Sequence, residues 1–117
     1  MKRVGRVLRF LTWVGVAAIG ILSWTPGDYM IRTGIGGHTE HVAAYFLASA
    51  AATLGYGRRK DPALISALYC AYAGLLEVGQ IWIPGRHAGF DDFSASAIGV
   101  LLGVSLVVLW SRYRSLP

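Results

Sequence analysis

Charge is scarce in this chain. Lys, Arg, Asp and Glu make up 15% of its 117 residues, and only six of these are acidic. That is too little for an ordinary soluble domain of this size. Cysteine is nearly absent. Cys70 stands alone inside an apolar run, so no intrachain disulfide can form, and a buried, inert thiol is expected. No serine occupies a nucleophile-elbow pattern, and there is no phosphate-binding loop. Repeats, low-complexity segments and a separate soluble region are also missing, which leaves one domain over residues 1–117.

Apolar residues are abundant. They make up 55% of the chain, and the mean hydropathy is +0.51. They are grouped in long runs without a clear amphipathic period, as in a protein with several membrane spans. The net charge of +5 could suggest nucleic acid. The basic residues, however, sit at the ends of apolar runs, where orientation signals belong, so no nucleic-acid partner is expected.

Four runs can be delimited, at about residues 5–24, 39–57, 62–83 and 92–111. Each approaches the roughly 20 residues that cross a bilayer. The first follows Lys2, Arg3, Arg6 and Arg9 and looks like a signal peptide. Ser23-Trp24-Thr25-Pro26 lacks the small-x-small exit pattern, so an uncleaved span is expected. Thr39 is a plausible N-cap for the second run. Asp61-Pro62 is a strong start for the third, and Pro84-Gly85 stops it. Asp91 or Asp92 would cap the fourth.

Four spans put Lys2, Arg3, Arg6, Arg9, Arg58, Arg59, Lys60, Arg112 and Arg114 on one side, and Arg32 and Arg86 on the other. The positive-inside rule then makes both termini cytoplasmic. His38, Glu40, His41, Glu77, Gln80, Arg86, His87, Asp91 and Asp92 all fall at the outward ends. Residues three and four apart share a helix face. Three small-residue stripes therefore lead to polar groups: Ala44, Ala48 and Ala52 to His41; Ala63, Ala67, Ala71 and Gly74 to Glu77; Ala95, Gly99 and Gly103 to Asp92. Such stripes let membrane helices approach closely. If they face one another, His41, Glu77, Gln80 and Asp92 meet.

Each polar residue has a plain and a chemical reading. Glu77 could pair with Arg86 and hold the bundle, or could handle protons or substrate from about 9 Å below the interface. Gln80 fits a helix-pairing amide or an orienter of Glu77. Arg86 could pair with Glu77 or Asp92, or present its planar fork to a phosphate or carboxylate. His87 and Asp91 fit solvated positions, and Tyr45 could lend a hydroxyl or simply pack. His38, Glu40, His41 and His87 invite a metal, but Gly37-His38-Thr39-Glu40-His41 is not the i, i+4 histidine pair of a helical zinc motif. No metal or other cofactor is expected on spacing.

The order His41-Val42-Ala43-Ala44-Tyr45-Phe46-Leu47, Glu77-x-x-Gln80, Pro84-Gly85-Arg86 and Asp92 with Gly99 and Gly103 resembles the VanZ-like family of small bacterial membrane proteins. The resemblance covers about residues 25–105. It implies a several-helix protein of the bacterial cytoplasmic membrane, whose namesake is associated with low-level teicoplanin resistance. It carries over His41, Glu77, Gln80, Arg86 and Asp92 as motif residues. Two positions depart from the pattern: Gly37-His38 stands where members commonly have Asp-Lys, and Ser96 where they commonly have Asn.

The sequence thus predicts an all-α bundle of four membrane helices with an outward polar site. His41 and Glu77 are the candidate acid/base pair, and Gln80, Arg86 and Asp92 the candidate binding residues. The expected partners are the lipid bilayer and an anionic, lipid-linked or envelope ligand, with a homo-oligomer left open. A small transporter or channel subunit and a purely structural bundle are the alternatives.

Overall fold

The computed structural model describes residues 2–29, 34–57 and 60–115. It is all-helical: α1 (Lys2–Ser23), α2 (Gly37–Tyr56), α3 (Pro62–Gly79) and α4 (Phe90–Ser115). Single 3-10 turns cover Gly27–Tyr29 and Gln80–Trp82. Among the described residues there is no strand. Arg32, Arg58 and Arg59, which carry part of the predicted charge asymmetry, lie outside them.

Three segments are long and apolar enough to cross a membrane: Lys2–Ser23, Pro62–Trp82 and Phe90–Ser115. They support a membrane protein. α2 is not among them, although its 20 residues have the length. His38, Glu40 and His41 sit in its opening turns. α2 is also the central element. It packs most extensively on α4, then on α1, and also touches α3. The helix that carries His38, Glu40 and His41 is thus the one most in contact with its neighbours.

The close approach of α2 and α4 is set by glycine. A Cβ on Gly99 would lie 3.1 Å from the Cα and carbonyl carbon of Val42, and one on Gly103 would lie 3.2 Å from the Ala50 nitrogen. Both glycines are buried, as is Val100 between them. Ser49 Oγ reaches across to the Val100 carbonyl at 3.3 Å. Successive contacts advance in the same direction on both helices, so α2 and α4 run parallel and start at the same end. Antiparallel α3 is pinned to α2 by Tyr69, whose hydroxyl donates to the Ala48 carbonyl at 3.2 Å. Tyr72 holds α1 the same way, donating to the Val16 carbonyl at 2.6 Å.

Several sequence-based expectations are corrected. The stripe Ala63, Ala67, Ala71 is exposed; α3 instead buries Ile65, Tyr69, Ala73 and Leu76. Mostly large side chains, among them Tyr69 with a hydrogen bond to make, win that face over small ones. Ala44 is also exposed, while Ala48 and Ala52 are buried. Thr39 does not cap α2, which begins at Gly37 after Gly36 with no side-chain cap. α4 begins at Phe90, so Asp91 and Asp92 lie inside its first turn rather than at the cap. In both helices acidic side chains in the first turn interact favourably with the positive end of the helix dipole, so no side-chain cap is required. Asp61 does cap α3, accepting from the Ala63 N–H at 2.8 Å ahead of Pro62.

The packing account predicts that Gly99→Val and Gly103→Val each destabilise the protein by about 1–3 kcal/mol, since overpacking forces backbones apart. Ala67→Val on the exposed stripe should stay within about 0.5 kcal/mol of wild type. Thermal unfolding in detergent micelles measures both.

Candidate functional site

Three helix ends converge at one end of the bundle. α2 and α4 begin there, and α3 finishes there. α3 ends as an α-helix at Gly79, tightens into the 3-10 turn Gln80–Trp82 and turns extended at Ile83. Glu77 therefore lies in the last turn of α3, nearer the helix end than an unbroken helix to Ile83 would put it. Gly85 adopts φ 74, a left-handed conformation that suits glycine, and lets the chain double back. The carbonyl of Pro84 accepts from the Gly27 N–H at 2.9 Å, so the loop after α3 is docked on the turn after α1.

His41, Glu77 and Asp92 come together. One ligand-type atom from each lies within 4.8 Å of the others, and all three residues are half-buried. The surroundings hold each of them in place. His41 Nδ1 is 2.6 Å from the Gly37 carbonyl. A carbonyl can only accept, so Nδ1 carries a proton, and in the neutral ring the lone pair is on Nε2. Glu77 Oε1 accepts from the Gly89 N–H at 2.9 Å. Asp92 Oδ1 is 3.3 Å from His38 Nε2, which also contacts Asp91 Oδ2 at 3.0 Å. Ser96, in the position that departs from the family pattern, is buried and donates to the Asp92 carbonyl at 3.1 Å. The other departure also takes part: Gly37 holds His41, and His38 bridges Asp91 and Asp92.

Gln80 and Arg86 do not join this triad. Gln80 is buried, and its Nε2 donates to the Ser23 carbonyl at 2.8 Å. Arg86 Nε donates to the Thr25 carbonyl at 2.8 Å, and its Nη2 donates to the Leu22 carbonyl. Both residues satisfy carbonyls that the end of α1 leaves without helical partners. Trp24 fastens the same corner, donating from Nε1 to the Leu76 carbonyl at 3.1 Å. It is thus docked on α3 as well as placed at a helix end.

A cavity of about 140 Å³ links the two groups. Its walls include Glu40, His41, Tyr45, Gln80 and Arg86, with Ile19, Leu22, Ser23, Thr25 and Ala44. His41 belongs to both the triad and the cavity. Glu40 was placed at this end by the sequence and weighed there only as a metal ligand. Its position four residues after Gly36 and one before His41 is the signal that could have marked it. Among the described residues, two groups have metal-ligand chemistry, His41 with Glu77 and Asp92, and His38 with Asp91 and Asp92. The second is exposed at His38 and Asp91, and its side chains already contact one another. His87 is exposed.

Comparison with known family models, curated proteins and solved structures finds no match to this chain.

Lysine cannot reproduce the two carbonyl contacts that the arginine fork makes from one planar group. Arg86→Lys should therefore cost about 1.5–3 kcal/mol, the range for hydrogen bonds to a charged donor. Amide exchange should rise over residues 20–25 at the end of α1 and stay unchanged over residues 99–107 of α4. Hydrogen exchange in detergent measures this.

Proposed function

We propose that this chain is a VanZ-like protein of the bacterial cytoplasmic membrane with four spans, α2 being the fourth. In this reading both termini are cytoplasmic, and the converging helix ends open outward. The protein binds, or chemically processes, an anionic component of the cell envelope, with glycopeptide susceptibility as the phenotype to test.

One observation carries the reading: a histidine, two carboxylates, a guanidinium and an amide are gathered at a single end of a largely apolar bundle, and three of them, His41, Gln80 and Arg86, line one cavity there. Ionisable groups at such depth are costly and mark functional sites by default. With Nδ1 bound to the Gly37 carbonyl, the nitrogen of His41 free to act as a base is Nε2, on a ring that stands beside Glu77 and Asp92. His41 and Glu77 take the acid/base roles. Arg86 contributes positive charge to the cavity wall, and an anion is the natural complement to it. Gln80 shapes that wall while holding α1.

A structural reading is favoured at two positions. The Gln80 and Arg86 hydrogen bonds to α1 carbonyls would be needed in a bundle with no chemistry at all. Glu77 separates the two readings, because its one hydrogen bond to the chain comes from a loop amide and survives amide substitution.

A deletion strain complemented with wild type or Glu77→Gln, challenged with teicoplanin and envelope stress, tests this. Wild type should restore the parental phenotype and Glu77→Gln should not, at equal membrane abundance. Equal rescue by both would establish the structural reading. In the same strain, a cysteine at Lys60 in a Cys70→Ala background should resist a membrane-impermeant thiol reagent added outside.

A further inference from the structure

We propose that His41, Glu77 and Asp92 form a mononuclear site for a divalent transition-metal ion of the zinc type. This goes beyond the anion-site reading and does not depend on it, but it replaces the acid/base roles of His41 and Glu77 with metal ligation.

The donors come from three different helices, so spacing along the sequence holds no metal-ligand motif even though the helix faces predict that they meet. Their ligand atoms lie within 4.8 Å of one another. A tetrahedral zinc ion, with bonds of about 2.0–2.2 Å, sets its ligand atoms about 3.3 Å apart. Small rotamer changes close that difference without moving a helix. The donor set of one imidazole and two carboxylates suits zinc or manganese and is a poor match for soft-metal chemistry.

The histidine is also prepared for the task. A metal-binding imidazole characteristically donates its other N–H to a carbonyl or carboxylate, which fixes its tautomer and aim. His41 does this with Gly37, at 2.6 Å. Glu77 is oriented in a comparable way by the Gly89 N–H, at 2.9 Å, which leaves Oε2 available. His38, 3.3 Å from Asp92 Oδ1, occupies the outer position that steadies a ligating carboxylate. Two half-buried carboxylates so close together repel one another, and a divalent ion between them converts that repulsion into attraction. Three protein ligands leave a fourth position open, as catalytic rather than structural zinc sites do. Because His41 also lines the cavity, a ligand in the cavity would be adjacent to the ion.

The test uses the full-length protein purified in detergent, stripped with chelator, then titrated with Zn²⁺ alone. Calorimetry and elemental analysis give affinity and stoichiometry, and circular dichroism confirms helical content for every variant. Wild type should bind one equivalent. Glu77→Gln and Asp92→Asn should each weaken binding by more than the roughly 10–100-fold that loss of an outer-shell partner costs. His87→Ala should leave it unchanged. Cobalt substituted for zinc should show the visible bands of tetrahedral coordination, and these should vanish in His41→Ala. A folded wild-type protein that takes up no zinc overturns the proposal without recourse to any variant. So does one equivalent retained at unchanged affinity by folded Glu77→Gln and Asp92→Asn. Loss of rescue by Glu77→Gln in cells together with absent zinc binding would leave the anion-site reading standing and remove this one.

Discussion

The contact between α2 and α4 governs this structure. Gly99 and Gly103 bring the α4 backbone against Val42, Phe46 and Ala50 of α2, closer than any side chain would allow. Fit of this kind and the hydrogen bond from Ser49 to the Val100 carbonyl hold the two helices together. Because the two helices run parallel, this contact also sets register. It places the first turn of α2 beside the first turn of α4, and hence His38 and His41 beside Asp91 and Asp92. α3 arrives antiparallel, locked by Tyr69 and Tyr72, and delivers Glu77 to the same end.

A second set of bonds fastens α1 at that end. Gln80, Arg86 and Trp24 tie the end of α1 to the turn and loop after α3. Their acceptors are backbone carbonyls, so the geometry depends little on which side chains α1 carries. The result is a division of labour between neighbouring polar residues. Gln80 and Arg86 spend their donors on architecture, while His41, Glu77 and Asp92 keep atoms directed at one another. All five sit in one sequence motif pattern, yet their physical situations differ.

Much of this was legible in the sequence. Long uncharged runs ended by basic residues gave the helices, and Asp61-Pro62 gave the start of α3, whose α-helical end at Gly79 comes before the expected stop at Pro84-Gly85. The clustering of polar residues at alternate ends gave the common location of the site. The Ala95, Gly99, Gly103 stripe was read correctly because glycine has few reasons to recur on a face other than close approach. The Ala63, Ala67, Ala71 stripe misled because alanine also suits a face turned outward, and the tyrosines opposite had hydrogen bonds to make. The destination of Arg86 was not legible either. Its acceptors are carbonyls of Leu22 and Thr25, and backbone groups carry no residue code. The early start of α2 and α4 followed from dipole-complementing acids in the first turn, where a side-chain cap had been expected.

The central claim is that His41, Glu77 and Asp92, from three helices, form one interacting unit. A double-mutant cycle tests it most directly, with Glu77→Gln and Asp92→Asn measured singly and together by thermal unfolding in detergent. The account predicts a coupling energy of about 0.5–3 kcal/mol, as found for residues in contact. The same cycle between Glu77→Gln and Asp61→Asn, at the opposite end of α3, should be additive. Additivity of Glu77 and Asp92 within about 0.3–0.5 kcal/mol, the behaviour of distant sites, would contradict the account.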